Sequence, residues 1–275
     1  MTINCKGNLI DLSTPKVMGI LNITPNSFYD GGKFQEESVV LNQVEKMLNE
    51  GATFIDIGAY SSKPNAEFVS EVEELQRILP VVQQIIKQFP EAIISIDTFR
   101  AEVAKQCVLN GAALINDISA GLLDEKMLPT VAELQVPYIM MHMKGNPQTM
   151  QALAYYDDIV KEMIYYFSER IFEARKLGIN DLIVDPGFGF AKTLEQNYEV
   201  MQKLDIFKQL ELPLLVGISR KSMIYKALET SAQEALNGTT FLNAIALEKG
   251  ANILRVHDVK EAVEGVKLFE KLKCN

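Results

Sequence analysis

Asp97, Asn116 and Asp185 each close a short aliphatic run, formed by Ile93 to Ile96, Ala113 to Ile115 and Leu182 to Val184. Their side chains accept hydrogen bonds, and a carboxylate takes two parallel ones from an amidine-like edge as it does from arginine. Two carboxylates and an amide brought to one mouth would therefore suit a planar ligand with a 2-amino-4-oxopyrimidine edge. Taken singly, an Asp at a strand end reads equally well as a cap on the helix that follows. A second set is cationic: Lys221 in Ser219-Arg220-Lys221-Ser222, and Arg255 with His257 in Arg255-Val256-His257. Alternate residues of a strand point the same way, so Arg255 and His257 share a face. With Asn22, which ends another aliphatic run, they form a grip for an anion; Arg255 is also suited to stacking on a planar ring. Arg220 alternates in direction with Lys221 and reads as structural.

Other side chains carry weaker signals. His142 ends the run Tyr138 to Met141 and reads either as a ligand-facing group or as a satisfied histidine lining a barrel, the second being the better fit. Met140, Met141 and Met143 read as core or pocket wall. Asp185-Pro186-Gly187-Phe188-Gly189-Phe190 is either a tight strand-to-helix connection or a turn whose glycines let backbone approach a ligand. Phe190 there is placed to pack on a second aromatic substrate. No His/Cys spacing suits zinc and no Ser-His-Asp order is present, so Ser219 and Ser222 read as hydroxyl donors.

Eight aliphatic runs supply the positioning elements. Besides those above they are Val17 to Leu21 before Asn22, Phe54 to Ile55 before Asp56, Leu214 to Ile218 before Ser219, and Ile253 to Leu254 before Arg255. Unbroken apolar strands are buried on both faces, as parallel strands covered by helices are. Helix-period segments follow the runs: 36–49, 69–88, 101–110, 126–134, 157–177, 194–210, 233–249 and 259–272. Gly51, Gly111, Gly178 and Gly250 sit where left-handed residues end helices. Eight βα units imply right-handed crossovers and an α/β fold, a (β/α)8 TIM barrel with its chemistry on the rim where strands end. Residues 3–12, around Lys6-Gly7-Asn8, predict an N-terminal β-hairpin plugging the barrel floor. The loops Asn22 to Phe34 and Gly58 to Glu67 are candidate lids.

The chain has 275 residues, and 48% of them are hydrophobic, enough for one large core; no linker divides it, so residues 1–275 read as a single domain. Net charge is −9, which disfavours a nucleic-acid or anionic-membrane partner, so an anionic substrate must be held by a local cation cluster. Cys5, Cys107 and Cys274 form no paired framework, which suits a reducing cytoplasm. Asn4, Lys6, Asn8 and Asp11 interrupt any signal-peptide core, and no apolar run approaches a membrane span.

Six segments in order resemble the dihydropteroate synthase family over almost the whole chain. They are Met18-Gly19-Ile20-Leu21-Asn22-Ile23-Thr24-Pro25-Asn26-Ser27-Phe28 with Asp30-Gly31-Gly32, Ser95-Ile96-Asp97-Thr98, Ile115-Asn116-Asp117, Asp185 to Phe190, Gly217-Ile218-Ser219-Arg220-Lys221-Ser222, and Arg255-Val256-His257. The resemblance implies a transferase of folate synthesis that joins 4-aminobenzoate to the methylene carbon of a dihydropterin diphosphate. It implies that Asp97, Asn116 and Asp185 hold the pterin edge, Lys221 its oxo side and Arg255 its ring face. Asn22 is then a magnesium ligand and, with Arg255 and His257, serves the diphosphate; Lys221, Arg255, His257 and Asn22 are the catalytic set. Phe28, Ser62, Pro64, Phe190, Ser219 and Ser222 correspond to the aminobenzoate site. A homodimer is also implied, whereas the apolar positions of Phe241 to Leu247 and Val263 to Leu268 by themselves suit either the barrel or a second subunit.

The departures from the family pattern are in the loops. Ala59-Tyr60-Ser61-Ser62-Lys63-Pro64-Asn65 stands where Gly-Glu-Ser-Thr-Arg-Pro-Gly is usual, and Asn26 replaces an Asp, while Asp30 remains. Lys63 keeps charge without arginine's planar fork. These changes bear on lid geometry, metal affinity and the response to sulfonamide-type inhibitors. Two rival readings share the pterin acceptors: a pterin-dependent methyltransferase barrel, which needs no Lys221, Arg255-His257 or Asn22 set, and a non-catalytic pterin-binding barrel.

Overall fold

The computed structural model of the chain describes residues 1–23, 33–60 and 69–273, the side chains of 33–37 excepted. Strands β1 (Thr2–Cys5) and β2 (Asn8–Asp11) form the expected hairpin, with Ile3 opposite Ile10. Lys6 and Gly7 both take positive φ, 53° and 92°, which is the type I′ turn whose twist matches the strands it joins.

Alternating strands and helices follow. The first half comprises β3 (Lys16–Asn22), α1 (Lys33–Asn49), β4 (Phe54–Gly58), α2 (Glu71–Gln88), β5 (Ile93–Asp97), α3 (Ala101–Leu109), β6 (Leu114–Asp117) and α4 (Met127–Leu134). The second comprises β7 (Tyr138–Met141), α5 (Ile159–Lys176), β8 (Leu182–Asp185), α6 (Leu194–Gln202), β9 (Leu215–Val216), α7 (Ser222–Ala227), α8 (Leu236–Glu248), β10 (Ile253–Val256) and α9 (Val259–Lys273). Strands β3 to β10 are parallel in the order β8-β7-β6-β5-β4-β3-β10-β9. A parallel bridge between Val184 and Leu214 brings β8 back against the start of β9 and nearly closes the ring. The fold is the α/β barrel that the rhythm of the runs predicts.

Side-chain alternation along the strands decides where the chemistry sits. Ile55, Ile57, Ile94, Ile96, Ile115, Val184, Leu254 and Val256 face outward into the main core shared with the helices. Met18, Phe54, Leu114, Ile139, Ile183, Leu215 and Ile253 face inward and pack with Ile3, Cys5 and Leu12, so the hairpin seals the barrel floor. Two residues further along the same inward parity come Asp56, Asn116, Asp185 and Arg255. The barrel is apolar at its floor and polar at its mouth.

Several details differ from the sequence expectation. The segment 194–210 is not one helix: α6 ends at Gln202 and a 3-10 helix, Leu204–Leu210, continues it, with Lys203 at φ −103° and ψ 18° between them. Leu214 to Ile218 pairs as a strand only at Leu215–Val216. Ser222–Ala227 forms a short helix absent from the expected helical segments, six residues being too few to show a helical period. Gly51, Gly111, Gly178 and Gly250 do take positive φ, 98°, 117°, 85° and 105°. Leu242, Ala246, Leu247 and Val266 are buried, whereas Phe241 and Leu268 are 65% and 69% exposed. Among the described residues no helix is long and apolar enough to cross a membrane.

Candidate active site

The centre of the mouth is a hydrogen-bonded group drawn from four strands. Arg255 on β10 donates from Nε to Asp56 Oδ2 at 2.5 Å and from Nη2 to Asp97 Oδ2 at 2.6 Å. Asn116 on β6 donates from Nδ2 to the same Asp56 oxygen at 3.0 Å. Asp56 is fully buried, and its Oδ1 has no hydrogen-bond partner among the described residues. Burial pushes Asp97 up to about 7, helped by the Asp56 charge and opposed by Arg255. Burial works against the Arg255 cation too, but Asp56 and Asp97 hold it above its ordinary value.

Asp185 and Lys221 complete the ring of charges. Asp185, the last residue of β8, is buried, and its Oδ1 accepts the Gly187 N–H at 2.8 Å. Burial raises its pKa, with the Lys221 charge opposing. Lys221, which caps α7, donates to Phe188 O, and its Nζ lies 4.7 Å from the Phe190 ring centre. Burial draws Lys221 down to about 8, while Asp185 and Asp97 oppose the change and Arg255 adds to it. Asp97, Asn116, Asp185, Lys221 and Arg255, separate in sequence, thus share one electrostatic environment.

Around this centre lie the other candidates. Asn22 is exposed at the end of β3, beside Gly58 of β4. His257 is exposed just beyond β10, and its Nδ1 lies 3.0 Å from the buried Ser219 hydroxyl, which accepts the His257 backbone N–H at 3.1 Å. Ser219 therefore fixes the imidazole from below. Phe190 is half-buried beside Lys221, and Ser222 is half-buried at the start of α7. Phe28, Ser62 and Pro64, with Asn26, Asp30 and Lys63, lie outside the described residues.

The structural readings stand as expected at two positions. Arg220 makes a two-pronged contact with Asp258 at 2.8 Å and donates to the carbonyls of Ala232 and Gln233. His142 is buried and hydrogen-bonded through Nδ1 to Lys192 at 3.1 Å. Sequence reasoning noted Asp56 only as the polar residue after the run Phe54 to Ile55, without a role, and missed Lys192. Asp56 is signalled by parity, since it alternates with Phe54 and Gly58 on an inward strand face; Lys192, a lone lysine beyond a turn, carries no such signal.

Magnesium is a matter of donor chemistry. Among the described residues no group of three His, Cys, Asp or Glu could hold a metal. A magnesium ion bound chiefly by substrate phosphates and water needs only one or two protein oxygens, and the exposed Asn22 amide fits that requirement.

Comparisons with known proteins give the family of the whole chain. The family described as pterin binding enzyme matches residues 18–257. Dihydropteroate synthase of Escherichia coli K12 is 45% identical over 272 residues, covering 98% of this chain and 96% of that protein. The crystal structure of Yersinia pestis dihydropteroate synthase with a sulfonamide drug superposes with a TM-score of 0.93 at 42% identity, covering all of both chains. Xanthomonas albilineans dihydropteroate synthase with 4-aminobenzoic acid gives 0.91 at 35% identity, covering 100% of this chain and 98% of that one. Carboxylates, amide and cations around one barrel mouth, within a match this long, place the chain in the dihydropteroate synthase family of pterin-binding enzymes.

Proposed function

We propose that this transferase condenses (7,8-dihydropterin-6-yl)methyl diphosphate with 4-aminobenzoate, giving 7,8-dihydropteroate and diphosphate in folate synthesis. The observation that carries the reading is Arg255 held between Asp56 and Asp97 beside Asn116, with Asp185 and Lys221 completing the mouth. A pterin's 2-amino and ring N–H donors would meet these acceptors. Asp97, Asn116 and Asp185 take that edge, Lys221 turns from Phe188 O to the oxo group, and Arg255 covers the ring face.

Reaction breaks the bond between the methylene carbon and the diphosphate oxygen, whose electron pair departs with the diphosphate. The positive charge left on the methylene spreads into the electron-rich pterin, which the acceptors hold in place. The aminobenzoate nitrogen then attacks with its lone pair, forms the carbon–nitrogen bond and releases a proton to water, so no strong general base is needed. His257, oriented by Ser219, and Arg255 stabilise the leaving anion, together with Asn22 at the rim. Magnesium, when bound at Asn22 and the diphosphate, supplies further charge neutralisation. Phe190, Ser219 and Ser222, with Phe28, Ser62 and Pro64, form the aminobenzoate side.

Exposed Phe241 and Leu268 support a homodimer through α8 and α9, which sedimentation would test. Buried, unpaired Cys5 and Cys107 support a reducing, cytoplasmic setting. The Lys221 and Arg255 cations, with His257 beside them, favour diphosphate departure over methyl transfer to a corrinoid. Incubation with magnesium, dihydropterin diphosphate and 4-aminobenzoate decides the matter. Dihydropteroate and diphosphate are expected in equal amounts; diphosphate without dihydropteroate, or neither product, rejects the proposal.

A further inference from the structure

Lys192 is buried between the β8–α6 loop and the end of β7 and carries no role in the site as proposed. Its ammonium has three protons and three partners: Gly187 O at 3.0 Å, Phe190 O at 3.0 Å and His142 Nδ1 at 3.1 Å. Phe188 O, between those carbonyls in sequence, accepts from Lys221. The same loop directs the Gly187 N–H to Asp185 Oδ1. His142 also meets the loop through its backbone. Its N–H donates to Asp185 O at 3.0 Å, and Gly187, at φ +67°, lies so close that a Cβ there would stand 2.2 Å from His142 O.

We infer that Lys192 and His142 form a positioning pair that holds the 185–190 loop so that Asp185 and Lys221 meet the pterin in register. The inference rests on the pterin reading of Asp185. For Nδ1 to accept from Lys192 the imidazole must be neutral, with its proton on Nε2. The charged groups around the pair are Lys144 after β7, Asp185 at the end of β8 and Lys221 at α7, and the rings of Tyr156, Tyr166 and Phe167 enclose His142. Burial, with the nearby Lys192 and Lys144 charges, holds His142 well below its ordinary value.

Lys192→Met keeps length and removes all three hydrogen bonds. Titration with 6-hydroxymethyl-7,8-dihydropterin is expected to show about tenfold weaker binding, with kcat at saturating substrates nearly unchanged. Combined with Asp185→Asn it is expected to add little beyond Asp185→Asn alone, because Lys192 acts through Asp185. The chain has two histidines, so their ring resonances can be followed separately; His142 is expected to resist protonation well below the ordinary imidazole range in the wild type and to titrate closer to that range in Lys192→Met. Additive losses, unchanged pterin binding or an unaltered His142 titration overturn the inference. Should Lys192→Met not fold, His142→Leu is expected to weaken pterin binding and His142→Asn, which keeps an acceptor for Lys192, to restore it; equal losses overturn it. Normal binding by Asp185→Asn alone would instead show that the pterin reading has failed.

Discussion

Arg255 Nε and Asp56 Oδ2 lie 2.5 Å apart across the barrel mouth, although the residues are 199 positions apart and β3 runs between their strands. Asp56 has no ligand role in the site as proposed. It sets the height and direction of the guanidinium proposed to cover the pterin and, through Asn116, the direction of an acceptor. Asp56→Asn keeps the shape and removes the charge, so Arg255 is left with Asp97 alone. Loss of one member of a buried charged pair costs about 2–5 kcal/mol, and the lower end is expected because Arg255 retains a partner. Calorimetric titration with 6-hydroxymethyl-7,8-dihydropterin would detect it; unchanged affinity would remove Asp56 from the positioning role.

Asp185→Asn turns an acceptor into a donor facing the donors of the ligand. Pterin affinity is expected to fall by about 2–4 kcal/mol for a buried contact, while the unfolding midpoint changes little because one amide oxygen still accepts the Gly187 N–H. Near-normal pterin binding would show the pocket to be wrongly assigned.

Three of the acceptors are legible in the sequence because a polar residue ends an aliphatic run, as Asp97, Asn116 and Asp185 do. Asp56 also follows a run, Phe54 to Ile55, but the strand continues through Ile57 to Gly58, so the carboxylate lies within the strand and not at its end. Only the alternation of side chains shows that it faces Arg255. The family resemblance supplies the roles of Lys221 and Arg255 but is silent on what orients them. Lys192 acts through carbonyls of a turn, and a backbone partner leaves no mark in residue types. Boundaries fail where local signals are weak, as at Lys203, where no Gly or Pro announces the end of α6.

Pterin binding should have a bell-shaped pH dependence. Burial raises Asp97 from 3.8 to about 7, and its carboxylate is the form that accepts from the ligand. That capacity is lost as pH falls through 7. Burial lowers Lys221 from 10.5 to about 8, and its ammonium is the proposed donor to the oxo group, so that contact should be lost as pH rises through 8. Affinity for 6-hydroxymethyl-7,8-dihydropterin, which lacks the titrating diphosphate, should therefore peak between these values. Asp97→Asn should flatten the acid side and Lys221→Met the alkaline side; profiles unchanged by either substitution would reject the assignment.

Removing magnesium should separate binding from chemistry. The acceptors of the pterin edge require no metal, whereas departure of the diphosphate gains from one. Chelation is expected to abolish turnover and leave hydroxymethyl-dihydropterin binding intact. Asn22→Ala should raise the magnesium concentration needed for half-maximal turnover. An unchanged requirement would exclude Asn22 as a ligand.

Beneath the mouth, Arg100 pairs with the fully buried Glu74 of α2, while Thr98 donates to the other carboxylate oxygen at 2.7 Å. Arg100 also donates to Val69 O at 2.5 Å and lies against the rings of Phe99 and Tyr60. The pair thereby ties the end of β5, where Asp97 stands, to the chain entering α2. Replacing a buried ion pair with apolar groups of similar size is often neutral, but removing one partner strands the other charge, at about 3–5 kcal/mol. Arg100→Met should therefore lower the free energy of unfolding in urea by roughly that much, and adding Glu74→Leu should recover a large part of the loss. A small effect of Arg100→Met would mean that Glu74 takes up a proton instead, the direction in which burial already pushes it. The loss would then grow with pH as that carboxyl ionises, which unfolding curves taken on both sides of neutrality would reveal.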